Sequence, residues 1–204
     1  MPSTSRTARG PYAKGVAKRE EILTAALEVI ARDGYRNTST RELAAAVGLS
    51  EAGLLHYFGS KEKLFEAVLR ARDEADVERF DHSDLIDKLT AIIRHNSDVP
   101  GLVQLYSTFS AEAGDPQHPA HEYFVARYTR LRDSLAESVR TRQAAGTMDP
   151  AADPEKIASV LIALSDGLQI QSRFDLPSGP ADLLDHLLAL LGPTGTSTGR
   201  GSGG

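Results

Sequence analysis

Apolar residues recur three and four apart along almost the whole chain, and nowhere do they alternate with polar ones over the length of a strand. Ile22, Leu23, Ala26, Leu27 and Ile30 set the pattern; Leu64, Phe65, Val68 and Leu69, and then Leu85, Ile86, Leu89, Ile92 and Ile93, repeat it. That spacing lays each group along one side of a helix. Gly, Pro and Asp clusters cut the pattern at Asp33-Gly34, Gly48, Gly59-Ser60, Gly114-Asp115-Pro116, Gly146, Asp149–Pro154 and Pro177–Pro180. The sequence therefore predicts an all-α protein of nine helices. They run from about Val16 to Asp33, from Thr40 to the Gly48 turn, over 51–58, and from Ser60 towards Phe80. The others cover Leu85 to about Asn96, 101–113, Pro119 to near Gly146, Glu155 to about Phe174, and 182–191.

The chain has 204 residues and no Cys, which rules out disulfides, thiolate metal sites and cysteine nucleophiles. No apolar run reaches the ~20 residues needed to span a bilayer, and the N-terminus lacks a hydrophobic signal core. A soluble, cytoplasmic protein with no membrane partner is the expectation. Net charge is −5 overall, but residues 1–19 carry Arg6, Arg9, Lys14, Lys18 and Arg19 without an acid. Residues 1–63 sum to +3 and residues 64–204 to −8. A basic end on an acidic body points one surface at a polyanion.

The stretch from Ser39 to Lys63 says which polyanion. Ser39 stands three residues before Glu42, the capping-box spacing, so a helix opens at Thr40 and carries Leu43, Ala44 and Val47 on one face. Gly48 turns the chain, and Ser50 caps a second helix, Glu51–Phe58. Two short helices around a Gly-containing turn form a helix-turn-helix, whose second helix offers its N-terminal residues to base edges in the major groove.

The block from Arg19 to about Leu69 resembles the DNA-binding domain of the TetR family of bacterial transcriptional regulators. The resemblance lies in the ordered run of a first helix ending in Asp33-Gly34-Tyr35, then Thr40-Arg41-x-Leu43-Ala44, Val47-Gly48-Leu49-Ser50, Leu54-x-x-Tyr57-Phe58 and Ser60-Lys61-x-x-Leu64. It implies a ligand-responsive transcriptional regulator, a homodimeric repressor released from a palindromic double-stranded operator by a small molecule. The implied organisation is a flexible basic arm (1–15), a helix-turn-helix domain (16–63), a ligand-binding and dimerisation domain (64–191) and a disordered tail (192–204).

Carried onto this sequence, the family pattern places Thr40 and Arg41 on phosphate and a nearby base. Ser50, Glu51, Ala52 and Gly53 open the reading helix, and His56 and Tyr57 meet phosphate or thymine methyl groups. Lys61 meets a phosphate at a helix N-terminus, and Lys14 lies in the arm. The family commonly has Tyr where this chain has Leu55, which removes one phosphate hydrogen bond. Ala52 and Gly53 offer only close approach, so Arg41 is a reader of guanine or else a phosphate contact, and Glu51 suits a cytosine amino group.

The last two helices carry more apolar surface than a one-sided helix requires, which a second copy would cover as a four-helix bundle. Leu161, Leu168, Leu184, Leu187, Leu188 and Leu191 are the expected interface. Tyr106, Phe109, Phe124 and Tyr128, with Ser165 and Gln169, suit a largely apolar pocket with a few polar groups, or equally an ordinary core. His118 and His121 fit no metal-ligand spacing, and neither a nucleophile elbow nor a phosphate-binding Gly loop is present, so no metal, no cofactor and no enzyme activity are expected. The alternative to a regulator is a helical small-molecule-binding or interaction module with little use for DNA. Deleting residues 1–14 is expected to weaken operator binding and flatten its dependence on salt; an unchanged log–log slope would place the arm off the DNA.

Overall fold

A computed structural model describes residues 11–80, 84–174 and 178–193, and among these it is helical with no strand. The helices are α1 (Pro11–Asp33), α2 (Thr40–Ala46), α3 (Glu51–Phe58), α4 (Lys61–Arg79), α5 (Leu85–Asn96), α6 (Pro100–Glu112), α7 (His121–Ala144), α8 (Pro154–Gln171) and α9 (Pro180–Leu190). Single 3-10 turns follow α1 (Tyr35–Asn37) and α8 (Ser172–Phe174). The expected helices are all present. The first begins earlier than expected, at Pro11, so residues 11–15 of the expected arm are helical. Residues 1–10 and 194–204, which hold the rest of the arm and most of the expected tail, lie outside the described residues.

The chain packs as two compact units, Met1–Arg79 with Val99–Phe124, and Phe80–Asp98 with Val125–Gly204. In the first, α1 buries Ile22, Ala26 and Ile30 against α2, α4 and α6. Leu43 and Leu54 from the short helices meet Leu64, Phe65 and Val68 of α4 in the same core, all of them 0 or 1% exposed. Rings of Tyr35, Phe65 and Phe109 meet edge to face, with centroids 5.1 to 5.7 Å apart. This arrangement sets the positive ring edge against the negative face. The buried Arg72 guanidinium donates to the Leu102 carbonyl at 3.0 Å, tying α4 to α6.

Gly101 lets α6 approach the end of α1 closely. A Cβ built on it would lie 2.0 Å from the Ile30 carbonyl oxygen and 2.9 Å from Cα of Gly34. Only hydrogen fits between α6 and the end of α1.

In the second unit Ile86 and Ile93 of α5, Leu135 and Val139 of α7, Leu161 of α8 and Leu184 of α9 form the core. Asp84 caps α5, accepting from the backbone N–H groups of Ile86 and Asp87 at 2.8 and 3.1 Å. It also accepts from Arg142 at 2.9 and 3.1 Å and from Ser138 at 2.9 Å, both on α7. Burial pushes the Asp84 carboxyl up, but the hydrogen bonds from Arg142, the Asp87 backbone and Ser138 outweigh it and hold the group below the usual carboxylate range.

The leucines expected at an interface divide into buried and partly buried ones. Leu161, Leu168 and Leu184 are 0 to 3% exposed, and Leu187, Leu188 and Leu191 pack against the same core. The first three are enclosed by their own chain, and the last three are covered by it in part. The large apolar residues of these helices that face outward are Val160 (50% exposed), Ile170 (47%) and Leu190 (68%), with Phe174 (76%) in the turn after α8. A helix that is apolar all round does not reveal which side its own chain will cover.

Gly101→Ala is expected to lower stability by about 2–3 kcal/mol or more, because the clash is with backbone and neither helix can yield by a rotamer change. A thermal melt within a degree or two of the parent protein would contradict this packing.

Candidate DNA interface

The turn between α2 and α3 is built from local hydrogen bonds. Ser39 Oγ accepts from the Glu42 N–H at 3.2 Å, and the Ser39 N–H donates to the Glu42 carboxylate at 2.8 Å. Gly48 takes a φ of +67° after α2, and the Leu49 N–H closes the turn onto the Ala44 carbonyl at 2.8 Å. Ser50 Oγ then accepts from the Gly53 N–H at 3.1 Å and starts α3. Lys18 of α1 donates to the Val47 carbonyl at 2.7 Å, a contact across 29 residues that fixes the end of α2. Leu54 and Phe58 are the buried face of α3, which leaves its first turn outward.

Of the expected DNA contacts, Lys14, Arg41, Ser50, Glu51, Ala52, His56 and Lys61 are exposed, and Gly53 and Tyr57 are half-buried. The Ser50 hydroxyl already serves as the cap of α3. Lys61 opens α4, its ammonium 5.7 Å from the Phe65 ring centroid. The helix end beside it already holds an anion: hydrogen bonds from Glu62's own N–H and from the Ser60 hydroxyl keep the Glu62 carboxyl below its ordinary range. A phosphate there meets Lys61 more than the helix dipole.

Thr40 departs from expectation. It is 7% exposed, and its hydroxyl donates to the Glu51 carboxylate instead of standing free for a phosphate. The bond joins the first residues of α2 and α3 and fixes the rotamer of the first side chain on the reading helix. The second carboxylate oxygen remains an acceptor, of the kind that suits an amino group of cytosine.

The expected pocket residues are distributed over both units. In the first, Tyr106 and Phe124 stack at a tilt with centroids 5.7 Å apart, and Phe109 belongs to the aromatic cluster. In the second, the Tyr128 hydroxyl donates to Asp166 at 2.7 Å, Ser165 Oγ to the Leu161 carbonyl at 2.6 Å, and Asn96 to Gln169 at 2.7 Å. His121 Nδ1 lies 2.8 Å from the Ala113 carbonyl, and His118 Nδ1 accepts from the Ala120 N–H. Both rings serve the turn before α7. Among the described residues no group of three or more His, Asp or Glu side chains is placed to hold a metal ion. None of the helices there is long and apolar enough to cross a membrane.

A capped α2–turn–α3 pair with its second helix projecting an exposed first turn, set on a helical body, defines a helix-turn-helix DNA-binding regulator. Residues 22–68 match the model for bacterial regulatory proteins of the tetR family, and residues 87–192 match that for the BetI-type transcriptional repressor C-terminal region. The chain is 31% identical over 175 residues to the HTH-type transcriptional regulator BetI of Rhizobium meliloti (strain 1021), covering 81% of this chain and 82% of that one. The fold matches that of a TetR-family transcriptional regulator from Rhodococcus sp. (TM-score 0.67, 21% identity, 86% and 98% coverage). It also matches a transcriptional regulator from Saccharomonospora viridis in complex with choline (TM-score 0.60, 25% identity, 85% and 94% coverage). The chain belongs to the TetR family and is a ligand-responsive, DNA-binding transcriptional regulator.

Glu51→Gln adds a donor where only acceptors stood, and is expected to lose about 1–3 kcal/mol of discrimination at one operator position. Thr40→Val, which frees the carboxylate, should blur preference at that same position. Selection of bound sequences from a random duplex pool checks both; identical preferences in all three proteins would show that Glu51 does not read DNA.

Proposed function

We propose that the protein is a repressor that binds a two-fold symmetric operator as a homodimer and leaves it when a small molecule binds. The observation that carries this reading is the exposed first turn of α3, held by Ser50 and by the Thr40–Glu51 bond. On this reading residues 16–63 are the DNA-reading head, with Arg41, Glu51, His56, Tyr57 and Lys61 on the duplex. Residues 64–191 bind ligand and form the dimer. The protein works in the cytoplasm, where its operator is, and catalyses no reaction.

The outward apolar residues support the dimer. Val160, Ala163, Gly167, Ile170 and Phe174 recur at three and four along α8 and the turn that follows, an uncovered stripe with a small residue at its centre. Two such stripes pack across a two-fold axis with the backbones close at Gly167.

For the ligand, the choline-bound neighbour favours a small quaternary ammonium compound. Within the second unit Tyr128, whose hydroxyl donates to Asp166, brings an aromatic face for cation–π contact beside a carboxylate for charge.

Sequence selection is expected to enrich a palindrome, and Val160→Glu with Ile170→Glu to give a monomer by light scattering with operator affinity at least tenfold weaker. Enrichment of no symmetric site, or a double variant still dimeric, would sink the reading. Choline should then raise the melting temperature and release the operator; if it does neither while other small molecules do, the repressor reading survives and the ammonium assignment fails.

A further inference from the structure

We propose that a cleft between α1, the end of α3 and α4 is a phosphate-binding site separate from the first turn of the reading helix. Arg19, Tyr57, Phe58, Lys63, Glu66 and Arg70 line it, and it encloses about 310 Å³. Ala67, 6% exposed, lies between Lys63 and Arg70 on α4 and leaves the space open. The volume is at the lower end of small-molecule sites and admits a phosphate with part of whatever carries it.

Three cations and one acid line the cleft. Glu66 is committed to Arg70, at 2.9 Å from Nε and 2.8 Å from the terminal nitrogen. No acid pairs with Arg19 or Lys63 among the described residues, so the lining keeps a formal charge of +2, that of a phosphate dianion with its sign reversed. The two guanidinium groups are held before any ligand arrives. Arg19 lies 4.7 Å over the Phe58 ring centroid and Arg70 4.6 Å over that of Tyr123. Arg19 presents its N–H groups to oxygen acceptors, in the bidentate geometry that suits phosphate, while Arg70, whose Nε and one terminal nitrogen hold Glu66, has its other terminal nitrogen to offer. Side chains held in this way lose little further freedom on binding. Tyr57 completes the polar part of the lining.

The phosphate can come from the backbone of bound duplex or from a free phosphorylated molecule. Calorimetry of the full chain with inorganic phosphate, at ionic strength matched with chloride, is expected to show one saturable site per chain. Arg19→Ala with Lys63→Ala, both exposed positions, should weaken it at least tenfold without moving the melting temperature by more than a few degrees; Arg19→Gln serves as a second variant should the double one unfold. If the natural source is duplex DNA, the log–log salt slope of DNA binding falls by about 1 in the double variant and phosphate competes with the duplex. If the source is a free molecule, the slope is unchanged while phosphate binding is lost. Phosphate binding that survives both variants, or an absence of saturable binding together with an unchanged slope, overturns the proposal. The calorimetric arm needs no operator, so it stands apart from the repressor reading.

Discussion

The end of α1 and the start of α6 meet backbone to backbone at Gly101, and much of the first unit follows from that contact. With no Cβ in the way, α6 settles against Ile30 and Gly34. Phe109 thereby comes within ring contact of both Tyr35 and Phe65, and the Leu102 carbonyl comes within reach of Arg72. Tyr35 lies in the turn into α2, Phe65 and Arg72 lie on α4, and α4 in turn supports α3. Positioning the reading helix therefore depends on a chain of packed groups that begins at a glycine distant from it in sequence. Interiors packed at crystal density transmit such constraints, because there is little empty space in which to relax.

On the proposed reading, the candidate interface meets bases with few groups. Its first turn offers Glu51, Ala52 and Gly53, of which only Glu51 has a polar side chain, and that side chain is held by Thr40. A carboxylate near phosphates is unfavourable unless it meets an amino group, so it selects as much by penalising wrong sequences as by favouring the right one. On that reading affinity rests on the exposed cations around the helix pair, Arg41 and Lys61 at its edges. A surface of this kind binds DNA strongly through charge and discriminates at few positions.

How much of this was legible in the chain follows from sequence distance. The Ser39–Glu42 box, the Ser50 cap and the Gly48 turn are contacts over three or four residues, and residue types alone imply them. The Thr40–Glu51 bond spans 11 residues and Lys18–Val47 spans 29, and neither has a pattern that marks it. The cations of the cleft, Arg19, Lys63 and Arg70, are ordinary surface residues in sequence; only the folded chain sets two of them over aromatic rings. What covers the α8 and α9 leucines is hidden in the sequence for a related reason. Periodicity identifies apolar faces, and the choice between a neighbouring helix and a second subunit is made by how the helices pack.

By itself, the sequence determined the number and order of the helices, their caps and breaks, and the presence of a helix-turn-helix. These are set by backbone preferences and hydrogen bonds acting within one helical turn. The tertiary structure decided which side of α8 faces outward, where α6 closes on α1, and that the Thr40 hydroxyl holds Glu51. Those outcomes depend on side chains brought together from distant positions in a densely packed interior, where the fit of one group fixes the surroundings of the next.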